Sequence, residues 1–411
     1  MIRLSPRGKI QYQFLSLIVL LLILYSAGFL LGALFQLPEN PLALHFDAET
    51  VKGFSARCLS LLILTGLVGA GITMASESLS ERMTQVFLRA WIALIIVALI
   101  ASPFLRGSLL DALTAMGLLA LLALTRSGKE VSVFTRVWQA GLLLVCASSL
   151  AKPFASSPWD KVLDLYQWHV AYAVAALSVA FWLMTRFSTV TREWAQDGVK
   201  IVAALIFLGG SLISIAPLGL PPVIGISAAP LIVLCYTIQA GHACRALSTR
   251  NADRSLAPQW IAVAALFWLV AGGFLGAMSL HASLNSAMQS TALSEAQVWI
   301  MSWALLAILC AYLNSVAAEL RGGNSRVTGY APLWLIAFGA GLSTIVQGCR
   351  GVVEIYLRDS FALERARILA MTAPLTQIWI LCLLAVAIGI MTFALGFWAR
   401  RPAIHVDLPD S

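Results

Sequence analysis

Runs of about twenty apolar residues, each long enough to cross about 30 Å of hydrocarbon as a helix, recur along the whole of this chain. They occupy 14–35, 56–75, 87–105, 108–125, 131–150, 165–188, 201–217, 223–246, 259–280, 296–318, 331–356 and 375–398. Backbone amides and carbonyls find no water in a bilayer core, so such runs fold as helices that satisfy their own hydrogen bonds. The stretch around which the others are arranged is 292–321. It opens on Ser294 and Glu295, passes through apolar residues broken by Trp299, Trp303 and Asn314, and closes on Glu319 and Arg321. Its successor, 331–350, has similar length and carries Gln347 and Gly348 at its far end.

Composition leads to the same class. With 60% hydrophobic and 11% charged residues among 411, the chain has too few charges to clothe a soluble core of its size. The expected fold is all-α: a polytopic integral membrane protein, one transmembrane domain of about twelve helices over 1–411, with short tails at 1–13 and 399–411. The run at 14–35 exceeds a signal-peptide core and no small-residue cleavage site follows it, so it is expected to stay as a helix. The longest loops are expected around 36–55 and 357–374. Prolines fall mostly at helix ends, Pro374 among them, whereas Pro230 lies inside the eighth run and predicts a kink.

The net charge of +8 comes from basic residues scattered through short loops, which excludes a nucleic-acid surface and leaves the lipid bilayer as the expected partner. Counted on alternate sides of the runs, eighteen of the 27 Lys and Arg fall on one side, including Arg3, Arg82, Arg126, Arg186, Arg245, Arg321 and Arg400. Nine fall on the other: Lys52, Arg57, Arg106, Lys152, Lys161, Arg350, Arg358, Arg365 and Arg367. The richer side is expected to be cytoplasmic, which puts both termini inside the inner (cytoplasmic) membrane. Four of the nine outer cations crowd into 350–367.

Residues able to do chemistry are few. The seven cysteines lie mostly within apolar runs with no C-x-x-C spacing, and are expected to be buried thiols. His45, His169 and His281 fall near outer loops, His242 near the inner end of the eighth run and His405 in the tail. The outer three are expected to be unrelated interfacial histidines, with a three-His copper or zinc site as the alternative, and none of the five is clearly placed well inside a helix as a haem pair requires. Arg350, Glu354 and Arg358, spaced by four, share one helix face, and are either solvated charges or an ion-paired outer lid. Gln239, Asn314 and Gln347 inside the runs are expected to form interhelical hydrogen bonds.

Three stretches, AGLSTIVQGCR (340–350), FLGAMSLHASLNS (274–286) leading into EAQVWIMSW (295–303), and GLVGAGITMASESLSERM (66–83), carry a family likeness. In this order and spacing the chain resembles catalytic subunit I of the haem-copper oxidases, nearest the C-family (cbb-type) branch, over most of its length. The resemblance implies twelve helices with both termini inside. The family holds two haems and a copper through six histidines. The matching positions here are Ala56, Ala171 (two residues from His169), Ile213, Ser214, Glu295 and Gln297, so the resemblance implies a degenerate member without catalytic or metal-ligating residues. A second resemblance is to the NnrS family of twelve-helical, haem-associated proteins, whose histidine-rich helix starts are equally absent.

The functional expectation is a non-catalytic membrane protein that binds partners, such as other membrane subunits, in a respiratory or nitric-oxide and stress-related system. No cofactor is expected. The alternatives are a redox protein retaining a haem through unusual ligands and a transporter of a small solute. Loss of the family's ligands implies a space between the second, sixth, seventh and tenth helices, filled by Trp168, Trp299 and Trp303. Around it Glu295, Gln297, Arg350, Glu354 and His169 are expected to form an outer polar pocket.

Overall fold

The computed structural model describes residues 6–35, 48–75, 81–101, 107–125, 131–215, 218, 222–250, 255–280, 291–320 and 328–399. These fold into helices throughout, and no strand occurs among the described residues beyond a single bridge between Ser188 and Arg250. In chain order the helices are α1 (Pro6–Leu34), α2 (Ala48–Met74), α3 (Glu81–Ala101), α4 (Gly107–Thr125), α5 (Val133–Ala151) and α6 (Trp159–Phe187), then α7 (Arg192–Ser214), α8 (Pro222–Ser248), α9 (Ala257–Leu280), α10 (Thr291–Leu320), α11 (Tyr330–Phe361) and α12 (Arg365–Ala399). Ten of them are long and apolar enough to cross a membrane; α4 and α9 contribute the shorter apolar stretches Asp111–Ala123 and Ala257–Gly273. The fold is that of an all-helical, multi-pass membrane protein.

The centre of the bundle is α10. Within its most apolar window 94% of residues are buried, against 83% in α6 and 78% in α2, whereas α3 has 28% and lies at the rim. A helix apolar on every side must sit inside the bundle when its neighbours cover it, and α10 touches α9, α11, α6, α2 and α1. The glycines of GLVGAGITM explain how α2 reaches so many neighbours. A Cβ on Gly71 would sit 1.9 Å from the Trp138 ring of α5, one on Gly66 2.5 Å from Leu309 of α10, and one on Gly69 2.7 Å from Phe14 of α1. Three helices thus close onto α2, two of them at Gly66 and Gly69 and the third at Gly71 on nearly the opposite face. Trp138, fully buried, uses the close approach to donate its indole N–H to the Leu67 carbonyl at 2.9 Å.

Charge and aromatic contacts fasten the two ends. At one end, called here the Arg186 end, Arg186 pairs with Glu319 and lies 4.9 Å over the Trp182 ring, while Arg245 lies 4.8 Å over Trp194. At the opposite end, the Lys152 end, α11 and α12 run on past the apolar spans. The expected loop 357–374 is therefore only three residues, 362–364, and Ala362 turns the chain in the left-handed region at φ 47°. The charges of 350–367 misled the sequence reading: apart from 362–364 they sit on the ends of α11 and α12, where Arg350 is buried and Arg358, Arg365 and Arg367 are exposed. Pro374 consequently lies inside α12, as Pro230 does inside α8.

The thiols divide by position. Cys58, Cys146, Cys235 and Cys310 are buried, Cys382 is half-buried, and Cys244 and Cys349 are exposed on the bundle surface. Of the interior amides, Asn314 donates to the Cys310 carbonyl at 2.8 Å and accepts from Thr328 at 3.1 Å. Gln239, fully buried, has no partner for either end of its amide among the described residues.

Candidate functional site

Two cavities adjoin at the Lys152 end. The first, about 380 Å³, lies between α2, α3, α4, α6 and α10; the second, about 320 Å³, lies between α1, α2, α10 and α12. They share Ala56, Trp168 and Val298. Each is near the lower end of the ~300–1,000 Å³ typical of small-molecule sites.

The first cavity carries ionised groups on a largely apolar wall. One face of α2 supplies Arg57, Ser60, Leu61 and Leu64 at helical spacing, and α10 supplies Val298 and Met301. Lys152, just beyond α5, has its ammonium 2.7 Å from Asp164 of α6 and 3.6 Å from Asp111 of α4. It thus gathers three segments at one point. Arg57 also lines this cavity, half-buried, and among the described residues its guanidinium forms no ion pair. Its charge acts on Asp111 only at longer range.

His169 reaches this wall through a local irregularity in α6. Gln167–Tyr172 form a π-turn, which widens the helix and rotates the following side chains. Gln167 braces the turn by donating to Ser149 at 3.2 Å and to Tyr172 at 3.0 Å. Gly210 of α7 packs on its back: a Cβ there would stand 2.9 Å from the His169 carbonyl oxygen. His169 is 5% exposed and lines the cavity, and its Nδ1 has no hydrogen-bond partner among the described residues. Ala171 is fully buried and is not part of the wall.

The second cavity is aromatic. Trp299 stacks on Phe29 with ring centres 4.3 Å apart and donates its indole N–H to Ser343 Oγ at 2.5 Å, which fixes the ring. Tyr25 and Trp379 complete the aromatic lining, and Lys52 and Glu295 stand on it as well. Glu295 accepts a hydrogen bond from Gln347 Nε2 of α11 at 2.8 Å.

The residues expected to form one outer polar pocket therefore fall into separate settings. Glu295 and His169 line the two adjoining cavities. Arg350, 6% exposed, binds Glu354 at 2.7 Å on α11 and lines neither cavity. Arg358 turns to Asp359 at 2.7 Å and does not extend that pair. Gln297 is 4% exposed with neither amide atom bonded among the described residues. The expected filling by tryptophan is also partial: Trp168 forms the wall shared by the cavities and Trp299 lines the second, while Trp303 is buried outside both.

Arg57, Asp111, Lys152 and Asp164 were missed as site residues by the sequence reading, which counted the two cations for topology alone. The available signal was that Arg57 and Asp111 stand within the first turn of apolar runs, where an ionisable residue needs a partner or a cavity. His242 packs against Trp194 at 4.1 Å near the Arg186 end, while His45, His281 and His405 lie outside the described residues. No group of three or more His, Cys, Asp or Glu suited to a metal occurs among the described residues. No protein-family model and no curated protein matches this chain.

Proposed function

We propose that the chain is a non-catalytic membrane protein that holds a small molecule at its outer end, as an accessory or partner-binding component beside other membrane subunits. The observation that carries this reading is the pair of adjoining cavities, ionised on one side of Trp168 and aromatic on the other. The cation count of the loops supports placing the Lys152 end outside and both termini in the cytoplasm of a cell bounded by this inner membrane. Twelve crossings accord with the same count.

The likeness to haem-copper oxidase subunit I belongs to this proposal. What supports it is a space between α2, α6 and α10 with His169 on its wall, although α3 and α4 line that space where α7 was expected. The donors do not fit the family's cofactors. Ala56 and Ala171 offer no ligand atom, Ile213 is aliphatic, the Ser214 hydroxyl is given to the Gly210 carbonyl, and Glu295 is engaged by Gln347. One imidazole cannot assemble two haems and a copper.

The packing at the Arg186 end argues against an open pore through the bundle. There Thr73 and Tyr312 meet at 3.1 Å, and the space beside Gln11 and Phe14 amounts to about 10 Å³, room for hardly more than one water. The test is the visible spectrum and metal content of the detergent-purified protein. Neither a stoichiometric Soret band nor copper is expected. A haem spectrum accompanied by oxygen or nitric-oxide reduction would replace this reading with the redox alternative.

A further inference from the structure

The charge pairing within the two cavities decides what kind of ligand they suit, on the reading that they are a small-molecule site. Both carboxylates of the first cavity are held by Lys152, and Glu295 of the second is held by Gln347. Formal charge balances in each cavity, Arg57 and Lys152 against Asp111 and Asp164 in the first and Lys52 against Glu295 in the second. The groups without a direct contact among the described residues, however, are the cations, half-buried Arg57 and exposed Lys52. Arg57 on the first wall and Lys52 on the second form no ion pair among the described residues, and both come from the same end of α2. An unpaired guanidinium beside Leu61, Leu64, Val298 and Met301 is a fork for a planar anion in a site of reduced water content. His169, nine-tenths buried, contributes its ring to the same wall, while its Nδ1 is closed off from solvent and has no partner among the described residues.

We propose that the adjoining cavities bind a small organic carboxylate with an apolar body. The carboxylate lies on the Arg57 guanidinium, within the cavity that His169 lines. The apolar body extends past Trp168 toward Phe29, Trp299 and Trp379, where flat rings find stacking partners. An amine of the same shape is repelled by Arg57 and has to compete with the Lys152 ammonium for Asp111 and Asp164. An alcohol lacks the charge that the guanidinium complements.

The experiment uses the full chain in lipid nanodiscs and reads tryptophan fluorescence, to which Trp168 and Trp299 report, during titration with phenylbutyrate, phenylbutanol and phenylbutylamine. Saturable binding of phenylbutyrate is expected, with the alcohol and the amine weaker by about tenfold or more, the size of effect given by one charge-assisted hydrogen bond. Arg57→Gln loses about tenfold for the carboxylate and little for the alcohol, while Arg57→Lys recovers only part of that loss, because the charge remains and the two-pronged donor does not. Arg358→Gln, on the exposed end of α11, leaves all three unchanged. The proposal is overturned if phenylbutyrate does not saturate, if the amine binds as well as the acid, or if a folded Arg57→Gln chain keeps full carboxylate affinity. The underlying small-molecule reading falls separately, when in addition none of the three probes binds and a cysteine at Ser60 is closed to aqueous reagents.

Discussion

Replacing Lys152 by methionine removes the ammonium that joins α4, the end of α5 and α6, while keeping the length and much of the apolar stem. Coulomb attraction at equal dielectric is about a third stronger at the 2.7 Å separation from Asp164 than at the 3.6 Å separation from Asp111. Exposure reverses that order. The Asp164 side chain is 59% exposed and Asp111 is 31% exposed, so water screens the shorter contact more. The Asp164 leg is worth about 0.5–1 kcal/mol, as for a surface pair. The Asp111 leg, more shielded, reaches about 1–2 kcal/mol, between the surface and buried ranges. Lys152→Met is therefore expected to destabilise by about 1.5–3 kcal/mol, and Asp111→Asn by at least as much as Asp164→Asn. The assay is reversible denaturation of the single variants and of the Lys152→Met, Asp111→Leu double variant in one detergent. The double variant should recover part of the loss, because no uncompensated carboxylate remains on α4. If Asp164→Asn costs clearly more than Asp111→Asn, separation governs and burial does not, and this view of the cluster is refuted.

Other consequences follow from the packing. Gly71→Ala places a methyl 1.9 Å from the Trp138 ring, so it should cost about 1–3 kcal/mol by overpacking, read as a lower yield of monodisperse protein, and Gly53→Ala, with open space around its Cβ position, should not. Gln239→Leu removes a fully buried amide that has no partner among the described residues and should raise stability by about 1–3 kcal/mol; a loss in a thermal-unfolding series would mean that the amide has a partner in the membrane. Cysteines at 295 and 347, whose native side chains meet at 2.8 Å, should be joined across α10 and α11 by a short bifunctional thiol reagent, and absence of the link by mass spectrometry would separate those helix ends.

Much of the helical architecture was legible because long apolar runs leave the backbone a single choice. The central place of α10 was legible too, since its tryptophans and Asn314 interrupt an otherwise apolar helix that its neighbours bury. What the sequence concealed was where helices stop and which charges meet. Arg350–Arg367 looks like a loop because charges end an apolar run, yet α11 continues to Phe361 and α12 begins at Arg365. The ion cluster was hidden for another reason. Arg57, Asp111, Lys152 and Asp164 come from separate segments, and their complementarity appears only when those segments pack. Glu295 and His169 were visible as unusual residues, but the π-turn that sets His169 on the cavity wall has no plain sequence signal.

The central claim is that the cavity between α2, α6 and α10 opens to water on the outer face of the membrane. Ser60 lines it and differs from cysteine by one atom, so Ser60→Cys is the direct probe. Intact cells expressing this variant are treated with a small, membrane-impermeant thiol reagent, and the modification is read by peptide mass spectrometry at position 60. Asp197→Cys, at the start of α7 toward the Arg186 end, is treated in parallel. The account predicts modification of position 60 from outside without permeabilisation, and of position 197 only after it. Modification of position 197 in intact cells, with position 60 reached only from the cytoplasmic side, would contradict it.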